Sequence, residues 1–249
     1  MRVCLHLPGR TRITVEQALQ EYGPNPPVDV FACPVCDGIL SIRAQAALAR
    51  TAHFAHARGA DCPTIDAAAA PFENLRALDP DPVARIQRQA RFRANWRRHF
   101  LHLGSLVPAL AIEEFVARLD LSLEWNIWSY VGLTDAEIPI VLALLDQFSP
   151  DDAMQTHTVR PRDHWYRFWV SHGAGAGADW PWPEQGATIS RGRFRYRGRG
   201  VAPAGADFID LEIVPVSGAF LEGPEPPTLH DYRENAVNAW FVRHPAFGR

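Results

Sequence analysis

Within thirty residues the chain places Cys33-Pro34-Val35-Cys36, His53-Phe54-Ala55-His56 and Cys62-Pro63, gathering three of its four cysteines and two of its ten histidines. Thiolate sulfur and imidazole nitrogen are the donors that Zn2+ takes readily, and the ion imposes no geometry of its own, so the protein need only bring four of them together. The two-residue gap between Cys33 and Cys36 lets one tight turn aim both sulfurs at a point, and Gly38 suits such a knuckle. Between His56 and Cys62 the run Arg58-Gly59-Ala60-Asp61 allows a second turn. Five candidates thus compete for four places. His56 is favoured over His53 because its spacing to Cys62 fits a single second knuckle; His53 stays as the alternative ligand or as a residue supporting the ligands. Free cysteines are often small buried hydrophobes, and an isolated Cys-x2-Cys can be redox-active. Neither reading explains two histidines and a third cysteine so close by. With four good donors to hand the expected role of the zinc is structural, since a catalytic ion keeps one position open for water.

The run from Phe31 to Leu40, with its CPVC pair, followed by His53-Phe54-Ala55-His56-Ala57-Arg58-Gly59-Ala60-Asp61-Cys62-Pro63, resembles the zinc-binding segment of CoiA-like competence proteins and related bacterial proteins. Those carry a CPxC pair, a short hairpin and an HFAH signature, often with a further Cys. The likeness covers about residues 28–65, roughly a seventh of the chain. It implies a zinc module of the kind that sits beside a nuclease-like domain and is associated with incoming DNA. The Ala-rich run Ala44 to Ala49 departs from the pattern, and no matching nuclease domain follows, so the resemblance carries the module and not the enzymology.

Composition sets the outer bounds. At 249 residues the chain can bury a substantial core in one large or two small domains. No apolar run approaches the length of about eighteen residues or more that a membrane span needs, and the N-terminal apolar stretch is too short for a secretory signal. A cytoplasmic location with reduced thiols is the expectation, Cys4 being a core residue of the first strand. The formal net charge is −3, so the whole molecule is no general adhesive for nucleic acid. Every basic residue is Arg. Without Lys there can be no P-loop lysine, no Schiff base and no orthodox PD-(D/E)xK nuclease.

The elements that must position the site can be read from pattern. Residues 2–7 and 10–13 suggest a hairpin around Pro8-Gly9, and Thr14 with Gln17 forms a capping-box signature for a helix reaching Tyr22, which Gly23-Pro24 ends. Val28 to Ala32 reads as a strand leading into the zinc module. Residues 82–103 are the clearest helix, with Phe92, Trp96, Phe100 and Leu103 in one apolar stripe and Asp79 and Asp81 just before it. Further helices are expected over 110–119 and 135–148, with Pro139 disturbing the start of the second, and over 231–243. Strands are expected at 165–170, 193–197 and 208–216, with a Gly-Ala loop over 173–178 and a Trp-Pro repeat over 180–183. The expected class is α+β: a zinc-stapled N-terminal unit over 1–65 with the module at 33–62, a helical region over 66–150, and a β-rich region over 151–249.

Two arginine-rich stretches are candidates for nucleic acid. Arg88, Arg91 and Arg98, with His102, share a helix face beside the aromatic stripe, where they could meet phosphates or serve as an ordinary solvated face. Arg193, Arg195 and Arg197 alternate with Phe194 and Tyr196 in a segment with five arginines among residues 191–199, which also suits a charged edge strand. For an enzyme the sole hint is Asp207, Asp210 and Glu212, the last two projecting to one side as paired Mg2+ ligands would, although Val214 stands where the nuclease lysine would be. His157, His164, His172 and His230 show no ligand spacing. The leading expectation is a zinc protein that binds nucleic acid, DNA before RNA, as an accessory in DNA uptake, mobile-element biology or defence. The alternatives are a protein-interaction or scaffold protein with a purely structural zinc, and a divergent metal-dependent nuclease.

Overall fold

A computed structural model gives the protein an α+β fold, and the structure describes residues 3–36, 38–44, 52–60, 62, 64–65, 82–130, 133–151, 162–171 and 188–247. The Gly-Ala and Trp-Pro loops over 173–183, His157, His172, Asp79, Asp81 and most of the Ala-rich run lie outside these residues. The chain divides into two compact units. One comprises Met1–Ala69 with Gly192–Leu211, the other Ala70–Arg191 with Glu212–Arg249.

In the first unit β1 (Val3–His6) pairs antiparallel with β2 (Thr11–Thr14) on one side and with β3 (Phe31–Ala32) on the other. Helix α1 (Val15–Tyr22) follows β2 directly, and its start is held by both halves of the expected box: the Gln17 N–H donates to Thr14 Oγ1 at 3.3 Å and the Thr14 N–H to Gln17 Oε1 at 2.8 Å. Gly23 ends it at φ 69°, a left-handed value that Gly adopts without strain, and its N–H reaches the Leu19 carbonyl at 2.9 Å. The strand expected from Val28 is shorter than its pattern, since only Phe31 and Ala32 pair. A second ladder joins β4 (Leu40–Arg43) to β5 (His53–His56), with Leu40 opposite His56 and Arg43 opposite His53. The core here is small: Phe31 and Phe54 meet with ring centroids 5.1 Å apart, and Tyr22 stands edge-on to Phe31. Cys4 is fully buried in β1, where desolvation pushes its thiol up to about 12.

The second unit is built around α2 (Pro82–Leu106), whose stripe of Phe92, Trp96, Phe100 and Leu103 is buried as its spacing requires. Against it pack α3 (Ile112–Glu124), the wholly buried α4 (Ile138–Leu144) and the last helix, with Trp128, Trp240 and Phe247 filling the interior. Pro139 sits in the first turn of α4, after a 3-10 turn over Asp135–Glu137, where its missing N–H costs nothing. A three-stranded sheet has the order β6 (His164–Ser171), β7 (Thr188–Arg195), β8 (Phe208–Val214), and the latter two strands contribute residues to both units. After β8 come the short α5 (Ala219–Glu222) and α6 (Asp231–Arg243). Among the described residues no helix is long and apolar enough to cross a membrane.

Candidate metal centre

The first knuckle is made by backbone. The Cys33 N–H donates to the Gly38 carbonyl at 2.8 Å, closing the turn that ends with Ala32 bridged to Ile39. A methyl group at Gly38 would stand 3.2 Å from Cys36 Sγ, so the position has little room for a side chain. The second turn forms where expected: Ala60 N–H reaches the Ala57 carbonyl at 3.2 Å, and Gly59 takes φ 79°. Between the two knuckles β5 presents His56 and returns the chain to Cys62.

These elements bring Cys33, Cys36, His56 and Cys62 together, with all four ligand atoms within 4.8 Å of one another. Cys33 Sγ lies 3.8 Å from Cys62 Sγ and Cys36 Sγ lies 3.3 Å from His56 Nε2. A tetrahedral site with Zn–S of about 2.3 Å has an S···S edge of roughly 3.8 Å, whereas a disulfide would need about 2.05 Å. The cysteines are free thiols, and the donor set fits a thiophilic divalent ion. The cluster could therefore hold a metal ion such as zinc.

Mutual hydrogen bonds shift three of the groups, Cys33, His56 and Cys62. Hydrogen bonds from Cys36 and Cys62 raise His56 to about 9 against the opposing effect of burial. Hydrogen bonds with Cys36 and Cys62 push the Cys33 thiol up, while donation from Cys33 and Cys36 drives the Cys62 thiol down. One supporting residue escaped the sequence reading. Thr64 is fully buried, with Oγ1 3.1 Å from Cys62 Sγ, in a turn closed by the Ile65 N–H on the Cys62 carbonyl at 2.8 Å. A hydroxyl two residues beyond a ligand was the available signal.

His53 is not in the cluster. Side chains alternate along a strand, so residues 53 and 56 of β5 face opposite ways, and one strand can offer only one of them to the ion. His53 lines, together with His56, Phe54, Arg58 and Ile65, a cavity of about 760 Å³ within the first unit.

The expected arginine faces are differently employed. Arg88 is a correction: it is 3 % exposed and donates to the carbonyls of Leu133, at 3.0 Å, and Trp128, so it ties together the interior of its unit and has no free face for phosphate. Arg91 forms a two-point pair with Asp135 at 2.6 and 3.1 Å, and Arg98 donates to the carbonyls of Phe220 and Gly223 at 3.1 and 2.8 Å. His102 lies half-buried, stacked on Phe220 with centroids 4.3 Å apart. Arg193 pairs with Asp210, and Arg197 with the buried Asp207 at 2.6 Å. Arg195 is exposed and has no ion-pair partner among the described residues.

The same pairs answer the carboxylate question. Asp210 is held by Arg193, Glu212 by Arg191, and Asp207 by Arg197 and the Ala204 N–H. Among the described residues they form no metal-ligating group, and Cys33, Cys36, His56 and Cys62 make the only such cluster found there. Each acid that seemed free on β8 is neutralised by an arginine.

No family model, no curated protein and no solved structure matches this chain.

Proposed function

We propose that the protein binds one structural Zn2+ through Cys33, Cys36, His56 and Cys62, and that it works by binding a macromolecular partner and not by catalysis. The observation that carries the reading is the convergence of three thiols and one imidazole, whose ligand atoms lie within 4.8 Å of one another. Four protein ligands fill the sphere of a tetrahedral ion and leave no place for a reacting water. The ion would supply cross-linking of the two knuckles; the residues themselves supply the charge and shape that select it. The CoiA-like resemblance of the 28–65 segment and a cytoplasmic setting for reduced thiols are consistent with this reading. The engaged arginines and carboxylates favour a protein-interaction role over a nuclease.

Nucleic acid is the second reading, and one observation favours it. Arg58, Arg195 and Arg199, all in the first unit, are exposed without an ion-pair partner among the described residues. Three such cations can neutralise phosphates.

Metal analysis of protein purified without chelator tests the first reading: one zinc per chain is expected, lost in Cys33→Ser and kept in Cys4→Ser. Protein with no bound metal would overturn it. Electrophoretic mobility shift with single- and double-stranded DNA and RNA decides the second. Salt-sensitive binding weakened in Arg58→Gln/Arg195→Gln/Arg199→Gln supports nucleic acid, and absence of binding returns the protein to the interaction class.

A further inference from the structure

The three sulfurs of the cluster are not equivalent. Cys33 and Cys62 are 0 % and 1 % exposed, whereas Cys36 is half-buried. Cys33 Sγ accepts the Val35 N–H at 3.4 Å, and Cys62 Sγ lies 3.1 Å from the Thr64 hydroxyl. Among the described residues Cys36 Sγ has no such donor from outside the ligand set; its partner of that kind is its co-ligand His56. Gly38, whose Cβ would stand 3.2 Å from this sulfur, has no side chain to cover it. A hydrogen bond to a thiolate withdraws electron density from the lone pair that a nucleophile must use, and burial blocks the approach. Among the described residues both protections fall on Cys33 and Cys62, while Cys36 has only partial burial.

We propose that Cys36 is the modification site of this centre, the sulfur at which a soft electrophile attacks the metal-loaded protein, with Thr64 acting as a positioning residue that shields Cys62. This inference rests on the zinc reading above. With an activated alkene the zinc-bound thiolate adds to one carbon: the S–C bond forms, the π bond breaks, and the carbanion takes a proton from water. No oxidant or reductant is required. The thioether that results is a poor zinc ligand, so the ion leaves with the first modification.

The experiment uses the full chain loaded with zinc, its metal content measured beforehand. It is treated with substoichiometric N-ethylmaleimide, with zinc release followed by a chromophoric chelator and the labelled cysteine located by peptide mass spectrometry. Cys36 should be labelled about tenfold faster than Cys33 or Cys62, the scale of one hydrogen bond to a charged acceptor. Zinc release should keep pace with that label. In Thr64→Val the labelling of Cys62 should rise towards that of Cys36, while Thr64→Ser keeps the original order. Prior labelling of Cys33 or Cys62, or equal rates for all three, in protein shown to contain zinc would overturn the assignment of Cys36. An unchanged Cys62 rate in metal-loaded Thr64→Val would overturn the role of Thr64. Absence of zinc at the outset would instead sink the functional reading on which both depend.

Discussion

All four cysteines of the chain belong to the unit formed by Met1–Ala69 and Gly192–Leu211, and all eight tryptophans belong to the other. The first unit buries a few aromatics, Phe31, Phe54, Phe194 and Phe208, and two of its most deeply buried side chains are the thiols of Cys33 and Cys62. The second surrounds α2 with interlocked rings, Phe92 against Trp128 at 4.9 Å and Trp240 against Phe247 at 4.9 Å. Their polar groups differ in the same sense. In the first unit buried polar atoms converge on one another at the cluster, while in the second the buried Glu114 and Arg162 pair at 2.5 Å and the arginine's remaining donors reach the carbonyls of Pro108, Ala109 and Ser149. One unit is short of apolar area and gathers thiols and an imidazole at one point; the other has area enough and ties its buried charges to one another and to backbone carbonyls.

Metal removal should separate them most sharply. Structural zinc sites in small peptides contribute about 10–16 kcal/mol of apparent folding free energy at neutral pH. Chelation, or Cys33→Ser, is expected to unfold the first unit. Tryptophan fluorescence, which arises entirely from the second, should hardly change. Cobalt substitution gives the first unit its own absorption signal. Loss of the tryptophan signal along with the cobalt bands would break the comparison, since the two units would then fold as one.

Acid should act on the second unit through a different group. His99 is 1 % exposed between Phe92 and Phe220, and desolvation lowers it to about 3, against about 6.5 for the unfolded chain. Above pH 6.5 both states hold a neutral ring and nothing is lost. As pH falls below that value the unfolded chain binds a proton that the native state refuses. Stability then declines by about 1.4 kcal/mol per pH unit until about pH 3. Denaturant titrations followed by tryptophan fluorescence at pH 7 and pH 5 should show this slope, and His99→Phe, which keeps a ring beside Phe92 and Phe220, should remove it. A slope that survives the substitution would assign the acid response elsewhere.

How much of this could be read in the sequence follows from which patterns carry burial. The α2 stripe, the Thr14–Gln17 box, the 231–243 helix and the Cys/His spacing are local regularities, and each element stands where its pattern put it. Arg88 and His99 were legible and went unread. Arg88 stands four residues before Phe92, and His99 seven after it, so helical spacing places both on the buried stripe whatever their polarity. The choice of His56 over His53 rests on its spacing to Cys62, and the alternation of β5 gives a second, independent reason for it. The fate of Asp210 and Glu212 was not legible, because the arginines that neutralise them stand on a neighbouring strand, and strand pairing is a tertiary fact. Val28 to Val30 fail as strand because only Phe31 and Ala32 find a partner ladder.

The smallest expected effect asks whether the first unit has stability of its own. Thr14 caps α1 through two reciprocal hydrogen bonds, both exposed to solvent. In Thr14→Ala the Gln17 N–H loses its acceptor, although water can reach it, while the backbone N–H at position 14 still donates to Gln17 Oε1. Loss of such a cap typically costs about 1 kcal/mol, and Thr14→Ser, which keeps an acceptor oxygen, should cost far less. Denaturation of the cobalt-loaded protein, followed by its absorption, should show a decrease of this size with the metal still bound at the start. The tryptophan transition should not move. If Thr14→Ala instead releases cobalt as readily as Cys33→Ser does, the local framework and the ligands are one cooperative structure. The picture of a unit held chiefly by its metal would then give way to one in which helix, hairpin and knuckles stand or fall together.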